Sequence, residues 1–326
     1  MRLNGKDLKK FGLPHGPAFK AALDVFQNSD VDKDQIREII QSIVKDPESY
    51  LDDACYGAIA APLVKKKEAE PIALKGSACP FKTYGVEIIE NGALTQMQMA
   101  ARLPVSIKGA LMPDAHQGYG LPVGGVIAVD NAVIPYAIGV DIGCRMKLTM
   151  YDIPASKIEG MKDRLKNILV DNTVFGAGQT INASVYDLVL DDARMDNIPF
   201  IKKNHLRELA ISHLGTSGGG NHFVEFGSVF FPKISDEPKL AILSHSGSRG
   251  FGFKIANFYT KLAMEKCKLP KEARYLAWLD LDTEEGQEYW GAMNLAGEFA
   301  KACHDIIHLR LANALGEKEV CSIENH

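Results

Sequence analysis

A chain of 326 residues that is 46% hydrophobic and 24% charged can bury a large core, as one large domain or two modest ones. Its formal net charge of −4 lacks the basic excess of a protein that coats nucleic acid nonspecifically, although a local basic groove stays open. No run of about 18 apolar residues and no charged-then-apolar leader occurs, so the default is the cytoplasm with no membrane partner.

Residues 17–69 read as helical and charged. In DKDQIREIIQSIVKD, Ile36, Ile39, Ile40 and Ile43 or Val44 fall on one stripe, as in an outer helical layer. The run Lys65, Lys66, Lys67 with Glu68 and Glu70 reads as a solvated face. From residue 84 short β-type runs take over: YGVEIIE, VGGVIAVD, AVIPYAIGV, RMKLTMYD, HFVEFGSV and KLAILSH. Helical stretches near 93–101, 156–168, 205–213 and 250–267 are interleaved with them. A long helix follows from about 284 to 314, with Trp290, Met293, Ala296, Ala300, Cys303 and Ile307 on a stripe expected to face the core. The fold class expected is α+β, as a single domain over 1–326 with a helical N-terminal layer at 1–83 and a metal- and nucleotide-binding core at 84–326.

Six cysteines (Cys55, Cys79, Cys144, Cys267, Cys303, Cys321) are scattered without a CxxC pair, so neither a disulfide framework nor a zinc ribbon is indicated. Cys144 stands apart in a glycine loop, close behind Asp141.

Residue types that bind metals and anions gather in glycine-flanked segments. GVDIGC follows an apolar run ending at Val140, which puts Asp141 and Cys144 on a tight loop at a strand end facing one ion. The alternative is a turn with an Asp cap and a buried thiol. In GGGNHFVE, alternation separates His222 from Asn221, Phe223 and Glu225 unless the glycines turn the chain, in which case the polar groups converge. An imidazole there binds metal, while an amide and a carboxylate hydrogen-bond a nucleotide. HSGSRG lies between an apolar strand and an aromatic-rich helix, a setting that holds an anion, with His245 as ligand and Arg249 on phosphate. Asp114 and His116 in MPDAHQGYG divide evenly between a catalytic loop and a plain turn. GYGLPVGG has the wrong spacing for a dinucleotide fingerprint, and Pro122 would interrupt its helix. His304 and His308 stand at i and i+4 as in zinc peptidases, but Asp305 replaces the usual Glu and is a methylene shorter, so both imidazoles are placed on the polar flank of the long helix. His15, His205 and His213 are taken as structural.

MPDAHQGYGLPVGG, GVDIGCRM, GTSGGGNHFVE and HSGSRG, in this order, resemble the RtcB RNA-splicing ligase family from about residue 84 to the terminus. The resemblance implies packed mixed β-sheets flanked by helices, two Mn2+ ions and GTP as cofactors. The implied reaction joins an RNA 2′,3′-cyclic phosphate or 3′-phosphate end to a 5′-hydroxyl end, in tRNA splicing or RNA repair, with archease raised as an activating partner. It assigns Asp141, Cys144, His222 and His245 to the metals, the Cys144 thiolate bridging both ions. Asn221, His222, Phe223, Val224 and Glu225 go to the nucleotide, and Arg249 and Ser246 to phosphate or RNA. Softness alone would suggest zinc for a thiolate with imidazoles, so manganese comes from the resemblance. Members of the family run longer. The nucleophilic histidine is expected beyond residue 326, with His326 beside a further ligand, so this chain is expected to lack the C-terminal part of the fold and to be inactive as it stands. Two other readings stay open: a metal-dependent phosphoesterase acting on RNA cyclic-phosphate ends, and a noncatalytic RNA-binding relative.

Overall fold

Capping residues and apolar spacing set four helices at the start of the chain: α1 (Gly5–Lys10), α2 (Pro17–Phe26), α3 (Lys33–Lys45) and α4 (Gly57–Ala60). Asn4 and Asp7 cap α1 reciprocally, and Asp32 accepts from the first-turn N–H groups of α3. Ile36, Ile40 and Ile43 of α3 are buried with Leu8, Ala22, Phe26 and Ile59, while Ile39 and Val44 pack at the edge. These helices belong to one compact unit, Met1–Glu70, and the rest of the chain, Pro71–His326, forms another. The computed structural model describes residues 3–27, 31–64, 71–181 and 185–325; the charged run at 65–70 and His326 lie outside the described residues. No helix among these is long and apolar enough to cross a membrane.

The second unit opens with β1 (Phe81–Thr83), α5 (Asn91–Ala101), β2 (Ser106–His116) and β3 (Val123–Val129), the strands forming a sheet of order β1-β2-β3. Then come β4 (Ala132–Val133), α6 (Pro135–Ile138), β5 (Arg145–Pro154), α7 (Lys162–Asn172), α8 (Arg194–Asn197), α9 (Pro199–Lys203) and α10 (Leu206–His213). β6 (Phe223–Val229), β7 (Lys239–Ser246), α11 (Arg249–Lys266), β8 (Leu279–Asp280), α12 (Glu284–Leu315) and β9 (Glu319–Asn325) complete it. β4 pairs with β8, and a four-stranded antiparallel sheet has the order β6-β7-β5-β9. The fold is therefore α+β, with helices against mixed sheets. Strand alternation sends Val224, Phe226, Leu240 and Ile242 into a cluster with Leu165 and Ile168 of α7 and Ile307 and Leu311 of α12. On the opposite face Phe223, Leu243 and His245 are half-buried and Glu225 is exposed.

Several local expectations change. YGVEIIE forms a short 3₁₀ turn at Val86–Ile88, because Gly85 enters it at φ 70° in the left-handed region. AVIPYAIGV keeps only two strand residues before Pro135, whose fixed φ opens a helical turn. The strand at 106–116 carries no clear period-two signal and was not anticipated. On α12, Ala296, Ala300, Cys303 and Ile307 are buried, but Trp290 is 45% exposed.

His304 and His308 do not lie on a polar flank; both are buried. His304 Nε2–H donates to the carbonyl of Ser246 (3.1 Å), which leaves Nδ1 to accept from the Ser244 hydroxyl (2.6 Å). Ser244 Oγ then accepts from His308 Nε2 (2.8 Å), whose Nδ1 accepts from Thr149 (2.8 Å). With both rings engaged and Asp305 paired with Lys147 and Lys301, the helix has no peptidase site. Burial, together with the positive charge of Lys147, pushes His304 down to about 4 and His308 down to about 3. Each binds its proton more weakly folded than unfolded, so the stability it contributes is complete above the unfolded value of about 6.5 and falls as pH drops toward those lowered values. Chemical denaturation between pH 7.5 and 5 is expected to show stability falling by up to about 1.4 kcal/mol per pH unit for each histidine, with a shallower dependence in His308→Gln.

Candidate metal centre at the end of the four-stranded sheet

Antiparallel order brings the starts of β5 and β6 and the end of β7 to one edge of the sheet. Cys144 directly precedes β5, His222 directly precedes β6, and His245 is the penultimate residue of β7. Cys144 Sγ lies 3.0 Å from His245 Nε2 and 3.7 Å from His222 Nε2. The three ligand atoms fall within 4.8 Å of one another, and among the described residues no other group of three or more Cys, His, Asp or Glu side chains is so placed. Asp141 Oδ2 is 3.0 Å from His222 Nε2, adding a carboxylate to the edge of the group. A thiol and two imidazoles at this separation are a donor set that suits a transition-metal ion.

Glycines make the convergence possible. The Asp141–Cys144 loop follows the helical turn α6 and leads into β5, rather than capping a strand as expected, and it closes with Cys144 N donating to Asp141 O (3.1 Å). A Cβ at position 247 would sit 2.0 Å from Asp141 Oδ2, so only glycine there lets the carboxylate reach the Ser248 N–H at 3.0 Å. The glycines before His222 make the bend that brings its ring to the others, with Gly218 and Gly220 at φ 79° and 76°.

Main-chain carbonyls aim the rings. His245 Nδ1–H donates to Asn221 O (3.1 Å), leaving the Nε2 lone pair toward the cysteine sulfur. His222 Nδ1 has two neighbours of opposite demand. Ser217 O at 3.1 Å needs a proton on it, and Arg249 Nη2 at 2.9 Å needs a lone pair. Only the first tautomer frees Nε2 for a metal; the second makes Nε2–H donate to Asp141. Burial would raise the Asp141 carboxyl, but His222 and Arg249 outweigh it and hold the group below the usual carboxylate range. Burial first, and then the Asp141 charge, push the Cys144 thiol up to about 12. Metal binding at this thiol is therefore coupled to release of its proton.

The remaining sequence-predicted residues divide. Phe223 stands 5.7 Å from the His245 ring and shares its face with exposed Glu225, while Asn221 is exposed beside them. Val224 points the other way, into the cluster under α7, so it can offer a ligand only its main chain. Ser246 is fully buried with its hydroxyl given to Ser217 O (3.0 Å), so it braces the loop instead of facing a ligand. Arg249 spends part of its fork on Ser217 O and on Gly247 O (3.1 Å), keeping N–H groups on its terminal nitrogens free. Asp114 and His116 lie on β2 with His116 Nδ1 against Asp114 O, outside the cysteine–histidine group. Two features carried no clear sequence signal: the Ser217 carbonyl, and the loop Gly176-Ala177-Gly178-Gln179. That loop is strapped to the histidine-bearing one through Gly176 N to Gly218 O (2.7 Å) and Ser217 N to Val174 O (2.8 Å). Two short glycines flanking an alanine, GAG, are its only trace in the sequence. A cavity of about 620 Å³ opens between these loops, α10 and α11, reaching Asp141 and His222. Another, of about 580 Å³, reaches Asp141 and Cys144 from the side of α12.

The class defined by fold and site is an α+β protein with a cysteine–histidine cluster, compatible with a metal ion, at a sheet edge. The family model described as tRNA-splicing ligase RtcB matches residues 96–325. A tRNA-splicing ligase RtcB of Thermococcus kodakarensis is 30% identical over 260 residues, covering 67% of this chain and 54% of the relative. One from Nanoarchaeum equitans is 31% identical over 265 residues with the same coverage, and the RNA-splicing ligase RtcB of Escherichia coli K12 is 30% identical over 250 residues, covering 72% of this chain and 59% of the relative. The chain belongs to the RtcB family, and it spans about half the length of the curated relatives it matches.

Calorimetric titration with Mn2+ or Zn2+ is expected to give proton release and an affinity that rises with pH. Gly247→Ala, by displacing Asp141, is expected to weaken binding about 10- to 100-fold, the range for disturbing a ligand's support, and Cys144→Ala to weaken it further. Far-UV circular dichroism should be unchanged in both.

Proposed function

We propose that this chain carries the metal- and nucleotide-binding core of a GTP- and Mn2+-dependent RNA ligase, which joins 2′,3′-cyclic phosphate or 3′-phosphate ends to 5′-hydroxyl ends. The observation that carries the reading is one cysteine sulfur within reach of two imidazoles drawn from remote stretches of the chain. Family membership supports it, since the relatives are RNA-splicing ligases by name. RNA ends, tRNA halves among them, are the substrates in this reading, archease is an activating partner, and the setting is cytoplasmic.

Asp141, Cys144, His222 and His245 would hold the two Mn2+ ions. The donor set fits, for it offers a carboxylate, two oriented imidazoles and a thiol whose proton a cation displaces. When bound, paired ions neutralise phosphate charge and align an in-line displacement. The residues of the chain do the positioning. Asn221 and Glu225 hydrogen-bond the guanylate, the Phe223 ring lies along it, and the free N–H groups of Arg249 orient the RNA phosphate as a planar donor pair. The carbonyls of Ser217 and Asn221 keep the histidines from turning away.

The reading assigns no nucleophilic histidine within residues 1–326. Labelled GTP with Mn2+ is therefore expected to leave no covalent guanylate on this chain, and a histidine adduct would overturn that part. The joining step is tested directly with RNA whose 3′-phosphate already carries GMP, mixed with a 5′-hydroxyl strand and Mn2+. The 5′-oxygen attacks the phosphate, the phosphodiester forms and GMP leaves. Joined strands are expected on a denaturing gel, falling at least about 100-fold in Cys144→Ala, a loss typical of removing a transition-state contact. Ends stripped of GMP or of phosphate without joining would instead favour a phosphoesterase.

A further inference from the structure

The helical unit Met1–Glu70 lies outside residues 96–325, the stretch that the family model matches, and the metal centre draws no residue from it. Its charges are segregated. In α1, at 3.6 residues per turn, Lys6, Lys9 and Lys10 fall within about 100° of one another, with buried Leu8 on the opposite side. All three lysines are exposed, and among the described residues none has an ion-pair partner. The one acid of α1, Asp7, is already engaged: it accepts from the Asn4 N–H (3.2 Å) and pairs with Lys33 of α3 at 2.8 Å. One turn further along α3, Arg37 lies over the Phe11 ring at 5.5 Å, with one nitrogen on Asp34 (3.0 Å). On the other flank of α1 comes α2: a Cβ at Gly5 would stand 3.7 Å from the Phe19 ring, and Lys20 beside that ring is exposed and unpaired.

The exposed acids Asp46, Glu48, Asp52 and Asp53 follow the far end of α3, whose 13 residues carry the chain roughly 20 Å away from Lys33. The chain's net charge of −4 thus conceals a cationic end on this unit. Such an end attracts a polyanion by charge alone. Its other side chains narrow the partner. A bilayer surface asks for apolar groups to bury, yet the one exposed large apolar residue among the described residues of this unit, Leu51, stands with the acids. Stacking on bases asks for open aromatic rings, whereas Phe11 is buried and Phe19 is half-buried against His15. What remains is contact with phosphates, which holds an RNA without reading its sequence.

We infer that the Met1–Glu70 unit is an RNA-docking module, in which the three lysines of α1, flanked by Lys20 and Arg37, hold the phosphate backbone irrespective of sequence. The choice of RNA as the polyanion rests on the ligase reading. The test is fluorescence anisotropy of the full chain with a labelled RNA hairpin between about 50 and 200 mM salt. Lys6→Gln, Lys9→Gln and Lys10→Gln together are expected to take about two units off the slope of log affinity against log salt, at about 0.7 to 0.9 per lost phosphate contact, and to weaken binding about tenfold at the low-salt end. Lys6→Arg, Lys9→Arg and Lys10→Arg together are expected to keep both slope and affinity, as is a hairpin of unrelated sequence. Circular dichroism and Mn2+ titration check that the variants keep their helices and the metal centre. A glutamine variant with the original slope and affinity overturns the module alone, as does equally tight binding to vesicles of anionic lipid. Lysine-dependent RNA binding without joining of GMP-activated ends sinks the ligase reading and leaves the module standing. Absence of RNA binding by the unaltered chain overturns both.

Discussion

The carbonyl oxygen of Ser217 is where the site is tied together. It takes hydrogen bonds from the Ser246 hydroxyl and from Arg249, and it stands 3.1 Å from His222 Nδ1. Those donors come from the strand that carries His245, from the head of α11 and from the loop before β6. A single acceptor thus fixes the distance between both imidazoles and the arginine. It is held in turn because Ser217 N donates to Val174 O, which pins the cavity loop to the same point. Arg249 adopts φ 56°, a conformation that costs a non-glycine residue about 1 kcal/mol or more. Its hydrogen bonds to the carbonyls of Ser217 and Gly247 offset that strain, and the first turn of α11 stays beside His222 as a result.

Behind this tie the sheet is braced by a run of paired polar groups. The buried histidines of α12 bond to Ser244 and to the carbonyl of Ser246, the residues on either side of His245. Glu324 of β9 meets Lys147 at 3.1 Å and Lys301 at 3.3 Å, anchoring the outer strand to β5 and α12. Exposed ion pairs of this kind contribute little singly, but Lys147 is nearly buried, and losing its partners would strand a charge.

Much of this was readable beforehand, for reasons specific to each stretch. β5, β6 and β7 announce themselves as short β-type runs rich in apolar residues, and α12 because its small and branched residues repeat at helical spacing. The histidine and cysteine ligand types were legible from Asp141, Cys144, His222 and His245 standing among glycines. Their convergence was not, since it follows from an antiparallel order that no local pattern encodes. The Ser217 carbonyl was invisible because every residue has one. The side-chain directions of Ser246 and Val224 were not legible, because a motif carries residue names alone and strand alternation turns both away from the face of His245. His304 and His308 looked exposed because imidazoles are polar; burial became tolerable only through partners on β5 and β7, distant in sequence.

The line of hydrogen bonds through Thr149, His308, Ser244 and His304 has a polarity. The Ser246 carbonyl at one end accepts only, and this forces the proton position on every member in turn. Ser244 occupies the middle, where its hydroxyl both gives and receives. Deleting that one oxygen would leave a donor and an acceptor facing each other across a gap, whereas deleting the Thr149 hydroxyl would orphan a single ring nitrogen. The smallest side chain in the line is thus the one whose loss disturbs the greatest length of it.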